Sequence, residues 1–138
     1  KMTLTIKPVP TAIIHQTWPL VEGFLAEALK WGDDDYTVDQ AKVLLTRGDW
    51  LLVVAVDEEN KIHGAAAVSF NNMPNDRIAF VVAIGGKLIS NQDTYTQFCA
   101  LLKAYGATKI QGAAREAIAR LWTRYGFKER YRIVEAKI

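Results

Sequence analysis

The sequence predicts an α/β fold (α+β in arrangement): a mixed, mostly antiparallel sheet with helices on both faces. Three observations carry that prediction. Trp50 to Val56 is a continuous apolar run, short and rich in β-branched residues, so it reads as a strand buried on both sides. Two more strand-like segments follow it across short turns, as an antiparallel meander does. A strand–helix–strand crossover then closes the chain and demands a parallel pair in the same sheet. At 138 residues the chain is expected to be one domain, 1–138, with a core large enough to stand without staples.

Taken in order, Thr3 to Lys7 alternates Leu and Ile with polar residues, and Pro8 and Pro10 are expected to end that strand. Thr17-Trp18-Pro19 opens a helix, with Thr17 at the N-cap and Pro19 in the first turn. Trp18, Val21, Leu25 and Ala28 then share one face, and Gly32 with Asp33, Asp34 and Asp35 breaks the helix. A second helix starts at Thr37, where Gln40 completes a capping box. Val38, Ala41, Leu44 and Leu45 supply its apolar face, and Gly48 ends it. After Trp50 to Val56, Asp57 to Asn60 turns the chain and Lys61 to Phe70 returns as a strand of small residues. Asn71 to Asp76 is a loop, and Arg77 to Ile84 is a third strand closed by Gly85-Gly86. Ser90 reads as the cap of a helix from about Asn91 to Tyr105, with Tyr95, Phe98, Leu102 and Tyr105 inward and Gly106 as its stop. Lys109 to Ala113 is a short strand, Glu116 to Tyr125 a helix, and Tyr131 to Ile138 a last strand, giving six or seven strands.

Composition excludes several classes. Seventeen basic against fifteen acidic side chains leave a net charge of +2, too little to argue a nucleic-acid surface. Cys99 stands alone, so no internal disulfide forms; beside Phe98, Leu101 and Leu102 it reads as a small buried hydrophobe. No apolar run approaches a membrane span and the N-terminus lacks a signal-peptide layout, so the expectation is a soluble cytoplasmic protein with no membrane partner. His15 and His63 lack companion ligands at metal spacing, and no nucleophile elbow, P-loop or dinucleotide fingerprint is present.

One stretch points further. Arg120-Leu121-Trp122-Thr123-Arg124-Tyr125-Gly126-Phe127 lies on an apolar-periodic helix after a buried strand. It resembles the closing helix of the GCN5-related N-acetyltransferase (GNAT) superfamily, where Asn-x-x-Ala-x-x-Leu-Tyr-x-x-x-Gly-Phe recurs after the fifth strand. Arg115 stands where that family usually has Asn, and Trp122 where it usually has a Tyr that can protonate a departing thiolate. The order of elements agrees over nearly the whole chain. The Trp-Pro first helix, the Gly-Asp-Trp-Leu entry to the second strand, the Gly-Gly turn and the Arg-containing last helix are also similar to small acetyltransferase-like proteins of tailed bacteriophages. That likeness implies an infected bacterial cytoplasm, or a virion, as the setting.

The resemblance implies acetyl-CoA as acyl donor, its pantetheine arm pairing with backbone of the fourth strand. Here that is Phe80, Val81, Val82 and Ala83, with Ile84 next. The family's pyrophosphate loop, Gln/Arg-x-x-Gly-x-Gly/Ala, falls at Gly86 to Asn91, with Ile89 and Asn91 on its glycine positions. Gly85, Gly86, Lys87, Ser90 and Asn91 are the residues assigned to the phosphates; a plain strand-to-helix turn is the other reading. Arg115 follows Gly112-Ala113-Ala114 and either clamps an anionic group bidentately or pairs with Glu116 or Glu129. Trp122 borders the same site, and its indole can only donate a hydrogen bond. Glu22, the Asp33–Asp35 cluster and Asp76 are candidate bases against a plain role as solvated acids, and Tyr125 offers the hydroxyl that Trp122 lacks. Two functions stay open: an N-acyltransferase acting on a small-molecule or protein amine, or a catalytically inactive module binding a host or virion protein. Either leaves room for a homodimer.

Overall fold

Trp50–Val56, the continuous apolar run, forms β2 inside a five-stranded sheet ordered β1-β2-β3-β4-β5. The computed structural model describes residues 2–30, 35–113 and 116–138. β1 is Thr5–Val9, β3 Ile62–Asn72, β4 Arg77–Gly86 and β5 Lys109–Gly112. β1 to β4 pair antiparallel in chain order, and β5 joins β4 in parallel. The helices are α1 (Ile14–Leu29), α2 (Val38–Thr46), α3 (Gln92–Ala104) and α4 (Glu116–Trp122).

Side chains along β2 alternate between two cores. Leu52, Val54 and Val56 meet Ile14, Trp18, Val21 and Leu25 of α1 and Ala41 and Leu45 of α2. Val53 and Ala55 belong to the opposite core, with Phe98 and Leu102 of α3 and Trp122 of α4. Each large apolar side chain removed from water contributes about 1.5–3 kcal/mol, so these two interfaces hold the three layers together. Ala65, Ala66 and Ala67 at the centre of β3 are buried on both faces and keep the sheet thin there. The capping box at Thr37 and Gln40 forms as expected, and Gly48 and Gly106 both adopt positive φ at the ends of their helices.

Several boundaries differ from the sequence reading. β1 runs through Pro8 to Val9, because an edge strand needs ladder donors on one side only. α1 begins at Ile14 out of a 3-10 turn at Thr11–Ile13; Thr17 lies inside the helix and donates to the Ile13 carbonyl, and Pro19 sits in the interior. Asn71 and Asn72 belong to β3. Asn91, not Ser90, caps α3. Tyr105 is exposed and stacks on Phe70, while Thr94 takes an inward position. Cys99 is only half-buried. The helix expected over Glu116 to Tyr125 tightens into a 3-10 turn at Thr123–Tyr125. Tyr131 to Ile138 forms no strand, so the sheet has five strands rather than six or seven. Gly32, Asp33 and Asp34 lie outside the described residues.

Candidate functional site

β4 and β5 pair over four positions only, from Ile78 opposite Lys109 to Val81 opposite Gly112. β4 then continues alone on that side to Gly86. Its register with β3 slips at the same point. Ala67 faces Ala83 and Val68 faces Val81, which leaves Val82 as the extra residue of a bulge. A bulge bends its strand and increases the local twist, carrying the strand away from a neighbour. Val82 and Ala83 both pack toward α1 and α2, whereas Val81 and Ile84 pack toward α3 and α4. Among the described residues no strand lies beside Val82 to Ile84 on the β5 side. The backbone there is free to pair with something extended.

Trp122 stands at the root of this divergence. A Cβ on Gly112, the last residue of β5, would lie 2.9 Å from Trp122 Cζ3. The indole is buried and tilts against Phe127, so it is a packing element of the α3–α4 core.

The loop beyond the open half is tightly used. A Cβ on Gly85 would meet the Phe24 carbonyl oxygen of α1 at 2.3 Å, and one on Gly86 would meet the His63 carbonyl oxygen at 2.5 Å. Gly86 also has φ +69°, which disfavours any side chain. These two glycines let α1 and β3 close onto β4. Lys87 N–H donates to the His63 carbonyl at 2.8 Å. Ser90 and Asn91 N–H both donate to Thr94 Oγ1, at 3.0 and 3.1 Å, and Thr94 N–H donates to Asn91 Oδ1 at 2.9 Å. Three amides that could have faced an anion at the start of α3 are therefore already bonded within the loop. Lys87 remains exposed. The site thus fits the thin arm of a thioester along β4 and lacks a preformed backbone cradle for phosphates.

A long open sheet whose fourth and fifth strands part at a bulge is shared with solved proteins. The aminoglycoside N-acetyltransferase AAC(6')-Iy, solved in complex with CoA, matches at a TM-score of 0.68 with 12% identity, covering 100% of this chain and 96% of that one. An aminoglycoside acetyltransferase from an uncultured soil metagenomic sample, solved with sisomicin, matches at 0.68 with 13% identity over 98% and 96%. A predicted acetyltransferase with acetyl-CoA from Clostridium acetobutylicum matches at 0.65 with 14% identity, over 98% of this chain and 96% of its own. The chain has the GNAT acetyltransferase fold. At these identities the likeness speaks for the fold alone. No family model matches the sequence, and no curated protein matches it.

Within that fold the remaining candidates scatter. Phe80 and Val81 lie in the paired half of β4, opposite Gln111 and Gly112, while Val82 and Ala83 lie in the open half. Glu22 is exposed on α1, two residues before Phe24. Tyr125 stacks on Tyr95 of α3 at 4.9 Å, in an aromatic group with Phe127. Burial, with the Cys99 thiol beside it, pushes the Tyr95 hydroxyl up to about 12. Asp76 sits before β4, at the end away from the bulge. Lys109 at 3.1 Å and the Thr108 hydroxyl hold its carboxyl below the usual range. Arg115 lies outside the described residues.

Three participants escaped sequence reasoning. Thr94 closes the start of α3, and the Asn91-x-x-Thr94 spacing of a capping pair could have revealed it. Phe24 backs the open half of β4 through packing that no local pattern announces. His63 is the extra residue of a second bulge, between β2 and β3, and its ring meets Asp57 at 2.9 Å. Among the described residues no helix is long and apolar enough to cross a membrane.

Proposed function

We propose that the chain is a divergent GNAT-superfamily N-acyltransferase that takes acetyl-CoA along the open half of β4. The observation that carries this reading is the coincidence of two breaks at one place: β5 stops pairing after Val81, and Val82 is bulged. Backbone groups of Val82 to Ile84 would pair with the amides of the pantetheine arm as a further strand would, which requires no particular side chains. An amine nitrogen then attacks the thioester carbonyl; the C–N bond forms, the C–S bond breaks, sulfur leaves as thiolate, and the nitrogen gives up a proton. We assign that proton to Glu22 or to water, and reprotonation of the thiolate to Tyr125 or to solvent. For the phosphates we assign Lys87, flanked by Ser90 and Asn91, with Gly85 and Gly86 shaping the turn. Arg115 is retained from the sequence as the guanidinium that orients an anionic group, and Trp122 as the wall at the slot's root. The acceptor we assign is a small-molecule or protein amine, on the analogy of neighbours that carry aminoglycoside acetyltransferase names.

Titration calorimetry with acetyl-CoA tests this directly. Saturable heat with Kd below about 1 mM, roughly −4 kcal/mol, is expected. The amides of Val82, Ala83 and Ile84 should be the ones whose NMR shifts move. Absence of heat at millimolar ligand sinks the proposal.

A second reading has its own support, because the amides at the start of α3 are bonded to Thr94 and Asn91 rather than left for an anion. On that reading the fold is a binding module for a host or virion protein, as the likeness to phage-encoded proteins implies. Acetyl-CoA then leaves the Val82 to Ile84 amides unmoved.

A further inference from the structure

The two outer edges of the sheet are finished differently. On β1, Gln97 of α3 covers the edge: its Oε1 accepts from Ile6 N–H at 3.0 Å and its Nε2 donates to the Leu4 carbonyl at 3.1 Å. Pro8 removes a further donor from the same strand. β5 is the opposite edge, and nothing comparable covers it among the described residues. Beside it runs a groove of about 690 Å³ whose walls include Leu102 of α3, Ile110 of β5 and Phe127. An uncovered edge with an apolar floor is a template for another strand.

A strand without an edge exists in the same molecule. Tyr131 to Ile138 has the alternation of a strand, yet Tyr131 is 63%, Ile133 81% and Val134 90% exposed. The chain passes the groove at Lys128, which lines it, and then leaves. No Gly, Pro or Asn stands between Lys128 and Tyr131 to turn the segment back against its own β5, and the positive φ of Gly126 already closes the turn after α4. Extended at about 3.3 Å per residue, Glu129 to Ile138 reaches roughly 33 Å. That exceeds the ~14 Å radius of gyration of a domain this long, so a neighbouring molecule is within range.

We propose that two copies exchange these segments: residues 131–138 of each add as a sixth strand along the β5 edge of the other, seating apolar side chains in the groove. The contact is self-complementary and closes as a two-fold dimer. It finishes both exposed edges at once and leaves the open half of β4 untouched, so it stands apart from the acyl-transfer reading.

Cys99, the chain's only cysteine, lines the groove and reports on it. Neighbouring positions on a strand face opposite sides, so either Ile133→Cys or Val134→Cys brings a thiol over the groove. Under mild oxidation one of these variants should run as a covalent dimer on non-reducing gels, while the unaltered chain and the same variant carrying Cys99→Ala stay uncrosslinked. Light scattering should give twice the chain mass, falling to the chain mass in Ile133→Asp/Val134→Asp, whose circular dichroism stays that of the parent. A monomer mass for the parent overturns the proposal. So does an oxidised product that is internally linked within one chain, or a Cys99–Cys99 dimer of the unaltered protein.

Discussion

Arg77–Val81 and Val82–Gly86 are halves of one strand, held in place by opposite means. The first half has strands on both sides, and polar groups tie its entrance. Arg77 donates from Nε to the Tyr105 carbonyl at 2.9 Å and from Nη1 to Asn72 Oδ1 at 2.8 Å, with its guanidinium 4.7 Å from the Phe70 ring. Asp76 reaches Lys109 of β5 at 3.1 Å, and Thr108 hydroxyl bonds to Asp76 and receives Arg77 N–H. The second half has a strand on one side only. It is fixed by apolar packing of Val82 and Ala83 on the α1–α2 core and by the backbone of Phe24 pressing on Gly85. The difference teaches how a sheet keeps a slot open. Cross-strand bonds would close it, so the strand is gripped from the face instead, and its free edge survives.

Breaking the hinge between the halves should have the largest effect. Trp122→Ala removes the ring that sits on Gly112 and fills the α3–α4 core, and Trp to Ala in a core costs about 3–5 kcal/mol. Urea unfolding should show the midpoint fall with little change in slope. A loss under 1 kcal/mol would mean that β5 ends there for another reason. Gly85→Ala comes next, at roughly 2–3 kcal/mol, since its Cβ has nowhere to go unless α1 lifts. The same variant should shift the amides of Val82 to Ile84 while leaving those of Ile78 to Val81 in place. Equal shifts in both halves would show that α1 does not grip the open half selectively.

These halves were unequally legible in sequence. The run at Trp50 and the box at Thr37 and Gln40 announce themselves because their causes are local: burial on both faces, and one side chain reaching three residues. The bulge at Val82 is set by two partner strands at once, and Phe80 to Ile84 would read the same without it. Gly85-Gly86 was visible as a turn, but its reason, the approach of Phe24 from sixty residues away, was not. Tyr131 to Ile138 reads as a strand from alternation, whereas a strand also needs an edge to pair with, which a single copy does not supply it. Asn91 and Ser90 are both good caps, and only the placement of Thr94 separates them. The outline of the site followed from element order; its edge and its hinge are tertiary.

Arg77→Ala probes the tied half at a smaller scale. It deletes two hydrogen bonds and a ring contact at a partly exposed position, for roughly 1–2 kcal/mol. Amide exchange should quicken in β5 and at the end of α3, with the open half unaffected. If Val82 to Gly86 exchanged faster as well, the halves would not be independent.

The smallest effect separates the halves by acid. Asp57 accepts from Glu59 and Lys61 N–H, both at 2.9 Å, and contacts the His63 ring, whose own carbonyl holds Lys87 beyond the open half. The His63 contact first, then these backbone donors, keep its carboxyl below the ordinary 3.8; Lys109 and Thr108 do the same for Asp76 at the tied end. A folded-state pKa below the unfolded one adds stability that is present above the unfolded value and is lost as pH falls through the folded one. Unfolding midpoints of the parent should therefore decline below about pH 4, and Asp57→Asn and Asp76→Asn should each flatten that decline. Their local signatures should differ. Asp57→Asn should shift the amides of Gly86 and Lys87, because His63 loses its anchor, while Asp76→Asn should shift those of Thr108 and Lys109. If Asp57→Asn left Gly86 and Lys87 unmoved, the His63 bulge would be a feature of the β2–β3 turn alone, and the open half of β4 would owe its position to α1 entirely.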